Sequence, residues 1–110
     1  MLTSLTTVTK EDRCELYDKS LALSSQDRQV THLAEEMAEV MVEVSHLNRG
    51  RVTDTAHLVE EIADVLIMFE QMAYTFGALS SDIKIAVDAK LHKYREALKT
   101  VSVSAPDFQS

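Results

Sequence analysis

The sequence predicts an all-α protein, an antiparallel four-helix bundle, and three observations carry that expectation. Glycine and proline are scarce, two and one in 110 residues, which favours long helices over strands joined by tight turns. Apolar residues recur at steps of three and four along most of the chain, the period of a helix with one buried face. The stretches between these runs are short, and short connections make successive helices antiparallel neighbours.

The first helix is expected from about Lys10 to Leu23, with Thr9 as its N-cap. Ser24 and Ser25 then interrupt the pattern and can cap a second helix, which runs to about Asn48. Its apolar face is Leu33, Met37, Val40, Val44 and Leu47, and Gly50 stands where a left-handed terminal residue is often needed. Thr53, Asp54 and Thr55 offer caps for a third helix reaching about Phe76, with Gly77 just beyond. Its stripe is Leu58, Ile62, Val65, Phe69 and Met72, and Ile67 and Met68 make its far side apolar too. A helix that is apolar nearly all round is expected at the centre of the domain or against a second subunit. Ser80 or Ser81 caps the fourth helix, which reaches about Lys99 with Ile83, Val87, Leu91, Tyr94 and Leu98 on one face. Residues 1–99 thus read as a single helical domain. Residues 100–110, TVSVSAPDFQS, contain Pro106 and no helical period, and read as an extended or disordered tail.

The formal net charge of −7 argues against a nucleic-acid groove or an anionic membrane surface as partner. A nucleotide remains open, because a divalent cation can reverse the local sign. Cys14 is the single cysteine, so no intrachain disulfide can form and a reducing compartment is expected. The N-terminal MLTSLTTVTK lacks a basic region followed by an apolar run, unlike a secretory signal. The longest apolar stretch, Ile62 to Phe69, is interrupted by Asp64 and too short to span a bilayer. A cytoplasmic protein is the expectation.

Two stretches nearly repeat: LAEEMAEV at 33–40 and LVEEIADV at 58–65. Acid pairs three residues apart also occur at Asp12/Glu15 and Glu15/Asp18, and such pairs usually belong to solvated faces. The apolar frame sets the other two apart. With Leu33 at zero, Glu36 falls at roughly 300° and Glu39 at roughly 240°, on one shoulder of the apolar stripe. With Leu58 at zero, Glu61 and Asp64 fall at the same two angles, while Glu35 and Glu60 point farther from the core. Two such helices packed antiparallel would bring four carboxylates into one cleft.

Carboxylates about 4 Å apart repel by about 4 kcal/mol at an effective dielectric near 20. Either some of them protonate or a cation sits among them. Oxygen ligands without sulfur favour a hard cation, Mg²⁺ or Mn²⁺. Mg²⁺ usually completes its shell with water and phosphate, which points to phosphate-ester or phosphoanhydride chemistry, with a carboxylate free to act as general base. A di-iron bundle would need Glu-x-x-His on two helices, and Glu43-Val-Ser-His46 supplies it once. His32 and His46 share the shoulder of Glu36 and Glu39; His57 falls in the first turn of the third helix and His92 on an exposed face.

On the fourth helix Lys90 falls inside the apolar stripe and Lys93 on its shoulder. Snorkelling along apolar surface explains this placement, and so does a pair of amines that hold phosphate oxygens. Arg49 and Arg51 could reach a site from the loop after the second helix. No glycine-rich phosphate loop is present. Cys14 has no evident base partner and the mid-chain methionines read as core.

Glu36-Met-Ala-Glu39 followed by Glu61-Ile-Ala-Asp64, twenty-one residues on, resembles the Glu-x-x-Glu, Glu-x-x-Asp signature of the MazG-like all-α nucleoside triphosphate pyrophosphohydrolases. HLVEEIADVLIMFEQM is similar to that family's third helix and LNRG to its turn after the second, so the likeness spans about residues 25–99. The resemblance implies a Mg²⁺-dependent hydrolase that converts a nucleoside triphosphate to the monophosphate and pyrophosphate. It implies Glu36, Glu39, Glu61 and Asp64 as metal ligands and catalytic acids, and a homodimer or homotetramer. Lys90 matches the family's lysine on the last helix, while Tyr94 stands where an asparagine is expected. Lys90, Lys93 and His32 are the candidate substrate contacts, and Tyr17 and His32 the candidates for a base pocket. Phosphoribosyl-ATP or dUTP is an alternative substrate, and a non-catalytic helical adaptor is the alternative of another class.

Overall fold

The computed structural model describes residues 1–101; the expected C-terminal tail lies outside the described residues from 102 onward. The structure is all-helical: α1 is Lys10–Leu23, α2 Gln26–Asn48, α3 Ala56–Thr75 and α4 Ser80–Leu98, with no strand among the described residues. None of these helices is long and apolar enough to cross a membrane.

The helix ends follow the local chemistry read from the sequence. Thr9 caps α1, its Oγ1 accepting from the Asp12 N–H at 3.1 Å, and Ser25 caps α2 in the same way from Arg28 at 3.1 Å. At the α3 start Asp54 provides the bond, its Oδ1 accepting from the Ala56 N–H at 2.9 Å, while Thr55 makes no side-chain cap. The α2 end is closed by Gly50 at φ 71°: Gly50 N–H donates to Leu47 C=O and Arg51 N–H to His46 C=O. Gly77, at φ 76°, closes α3 likewise. Both close in the six-to-one and five-to-two bonds of a left-handed helix end.

The described chain forms two compact units, residues 1–79 and a second that begins at Ser80. In the first, α3 packs against both α1 and α2, the central position expected from its apolar far side. The apolar core is small, with Leu2, Tyr17, Met68 and Met72 buried. Ile62 and Phe69, from the expected α3 stripe, are only half covered, and Ile67 is exposed to a similar degree. The second unit carries α4, which has no buried residue.

Much of the core of the first unit is polar, which the apolar periodicity does not reveal. Glu70 is buried on α3 and takes four hydrogen bonds from Arg13, Tyr17 and Leu2. Arg13 Nε donates to its Oε1 at 2.6 Å, the Tyr17 hydroxyl to Oε1 at 2.8 Å, the Leu2 N–H to Oε2 at 2.7 Å and Arg13 Nη2 to Oε2 at 3.4 Å. Burial by itself would raise the Glu70 pKa, but the Arg13, Leu2 and Tyr17 donors override it and hold the group at about 2. Beside this clamp, Ser20 Oγ lies 3.2 Å from both Gln29 Nε2 and Gln71 Nε2, joining α1, α2 and α3. Tyr17 serves the α1–α3 contact, its hydroxyl donating to Glu70 and its ring standing 6.1 Å from that of Tyr74.

Candidate metal centre

The α2–α3 pair is a hairpin whose register mirrors about Gly50. Glu43 meets His57 and Glu39 meets Glu61, pairs equidistant from that glycine, which is the signature of an antiparallel packing. The near-repeat in the sequence has its structural meaning here. Each helix turns the same acid-bearing shoulder toward the other, so Glu36 and Glu39 on α2 come to Glu61 on α3. One carboxylate oxygen from each of the three lies within 4.8 Å of the others.

The burial of these acids is graded. Glu61 is 8% exposed, Glu36 is half-buried and Glu39 is exposed. Glu36 Oε2 and Glu61 Oε2 are buried oxygens that accept no hydrogen bond. A buried carboxylate oxygen without a donor is costly. The Glu61 pKa is raised, first by the Glu39 carboxyl beside it and then by burial, with the charge of His57 opposing. A donor set of oxygens only, with two orphaned atoms at its buried end, fits a hard divalent cation.

His57 crosses the hairpin at the edge of this group. Its Nδ1 lies 2.7 Å from Glu43 Oε1 and its Nε2 3.2 Å from Glu61 Oε1. The His57 pKa is raised, chiefly by the hydrogen bond to Glu43. His32, one of the candidate substrate contacts, is exposed at the other end, its Nε2 3.5 Å from Glu36 Oε1 and its Nδ1 3.9 Å from Glu35 Oε2.

The structure thus joins three of the four motif acids. Asp64 is exposed and stays outside the group of three; its side chain is one methylene shorter than glutamate. Lys90 and Lys93 are exposed on α4, in the second unit. Glu43, the acid of the single Glu-x-x-His, is taken up by His57. Sequence reasoning missed the Glu43–His57–Glu61 connection. The signals for it were the i, i+4 spacing of His57 and Glu61 and the mirror register, and the second becomes visible only once the hairpin is closed.

Comparison with known proteins finds no match: no family model, no curated protein and no solved structure corresponds to this chain.

Proposed function

We propose that this chain is a Mg²⁺-dependent nucleoside triphosphate pyrophosphohydrolase of the MazG-like all-α type, releasing pyrophosphate and a nucleoside monophosphate. The observation that carries the reading is the convergence of Glu36, Glu39 and Glu61 from two helices with the buried oxygens Glu36 Oε2 and Glu61 Oε2 unpartnered. Those three carboxylates would hold the cation, with Asp64 one turn along α3 as the fourth motif acid. When bound, Mg²⁺ would offset the phosphate charge and lower the pKa of an attacking water.

The residues divide the work by their surroundings. Glu61 and Glu36 present buried oxygens and act as fixed ligands. Glu39, the exposed member of the three, would complete the ligand set from the solvent side. His32 would contact the substrate, a role supported by its exposed position beside Glu36. Exposed apolar side chains on α2 and α3, among them Met41, Val59, Ile62 and Ile67, support a homo-oligomer, as a dimer or tetramer.

The test is pyrophosphate release from a panel of NTPs, dNTPs and phosphoribosyl-ATP with Mg²⁺, with orthophosphate followed in parallel. Pyrophosphate with matching monophosphate is the expected result, and the preferred nucleotide separates a general pyrophosphohydrolase from a dUTPase-like or phosphoribosyl-ATP-specific enzyme. Silence across the panel overturns the proposal in favour of a non-catalytic helical adaptor.

A further inference from the structure

We propose that His57 is a positioning residue for Glu61, a strap from Glu43 that fixes the Glu61 carboxylate so that Oε2 is the oxygen presented to a divalent cation. The inference rests on the metal-centre reading above and concerns a residue outside the acid motif.

A glutamate has three side-chain torsions, so an unsupported carboxylate at Glu61 would present either oxygen in several orientations. His57 removes that freedom on one side. It sits one helical turn before Glu61 on the same face of α3 and contacts Oε1 at 3.2 Å. It is itself anchored across the hairpin by Glu43 at 2.7 Å. The imidazole is 59% exposed while the side chains of Glu43 and Glu61 are 14% and 11% exposed, so it stands at the solvent edge over two covered acids. With Oε1 engaged, the buried Oε2 is the atom without a partner. This is how outer groups orient metal-binding carboxylates, and removing such a group typically weakens metal affinity by about 10-fold to 100-fold.

A rival role predicts the opposite sign. If His57 only screened the acids, its loss would leave the site more negative and bind a cation more tightly. The experiment is titration of Mn²⁺ alone into the full chain, followed by the electron paramagnetic resonance signal of free Mn²⁺, for wild type, His57→Ala and His57→Gln. Melting of each metal-free variant confirms that it is folded at the titration temperature. Positioning predicts that His57→Ala weakens Mn²⁺ binding by about 10-fold or more. It also predicts that His57→Gln, whose amide N–H still donates toward Glu61, recovers much of the loss. Wild type that binds Mn²⁺ while His57→Ala binds it equally or more tightly overturns this inference and leaves the metal centre standing. Wild type that binds no Mn²⁺ overturns both.

Discussion

Replacing Glu70 with glutamine tests the physical basis of the fold most directly. Glu70 takes Arg13, Tyr17 and the Leu2 N–H into one buried cluster, and Arg13 is only 5% exposed. The substitution keeps the shape and removes the charge, leaving the Arg13 guanidinium buried without its counter-ion. Two routes give the magnitude. Breaking one half of a buried ion pair costs about 3–5 kcal/mol. Independently, a carboxyl moved from its ordinary 4.5 to about 2 in the folded state contributes about 3 kcal/mol at neutral pH, at about 1.4 kcal/mol per unit.

The sign of the pH dependence follows. The folded pKa lies below the unfolded one, so the contribution is complete above 4.5 and is lost as pH falls through about 2. Urea unfolding of wild type and Glu70→Gln, compared at several pH values, is the assay. The two curves should differ by about 3 kcal/mol at neutral pH, by about half of that near pH 3, and should converge as pH falls through about 2 and Glu70 becomes neutral in the folded state as well. Subtracting the variant removes the contribution of the other carboxylates. A difference under about 1 kcal/mol at neutral pH, or one that stays constant with pH, would refute the assignment of Glu70 as the ionic centre of the α1–α3 contact.

Other perturbations separate site from scaffold. Glu61→Gln should keep the helical content while Mg²⁺-dependent pyrophosphate release falls by about 10-fold to 100-fold, the loss seen for metal-site partners; normal turnover in that variant would remove Glu61 from the site. Adding Mg²⁺ should raise the melting temperature of wild type but not of Glu61→Gln, because only a folded site binds the cation. Gly50→Ala should cost about 1–2 kcal/mol in urea unfolding, since φ is 71° there and a Cβ meets no atom within 4 Å, leaving backbone conformation as the sole cause. Tyr17→Phe removes one donor to Glu70 and should cost about 1–2 kcal/mol, detected in the same unfolding assay.

The helices and their ends were legible because they depend on local chemistry: hydroxyl caps at Thr9 and Ser25, left-handed glycines at 50 and 77, and a helical apolar period between them. The facing of Glu36 and Glu39 toward Glu61 was legible for a related reason, since both helices set their acids at the same angle from the same stripe. The polar core was not legible. Arg13, Gln29, Glu70 and Gln71 are types that usually lie on the surface, and nothing within α1 or α3 alone says that Arg13 and Glu70, 57 positions apart, will cancel each other's charge. The His57 strap was hidden similarly, because its two contacts belong to different helices. The expected apolar stripe of α3 was legible as a pattern but overstated as burial, with Ile62 and Phe69 half exposed.

Glu61 and Glu70 allow a comparison inside one helix. Nine residues apart, they point to nearly opposite sides of α3 at about 100° per residue, and both are buried to the same degree, each 8% exposed. Their surroundings differ. Glu70 is met by a guanidinium, a phenol and a backbone N–H, and its pKa falls. Glu61 is met by other carboxylates with one histidine as relief, keeps an oxygen without a donor, and its pKa rises. The chain therefore satisfies a buried acid fully where the acid's role is to hold α1, and leaves one unsatisfied on the side facing α2. If the second face served only packing, apolar residues there would be the more stable choice. The cluster with Glu36 and Glu39 is accounted for if its missing donor is a cation, and metal-dependent stabilisation of the folded chain is the consequence that decides it.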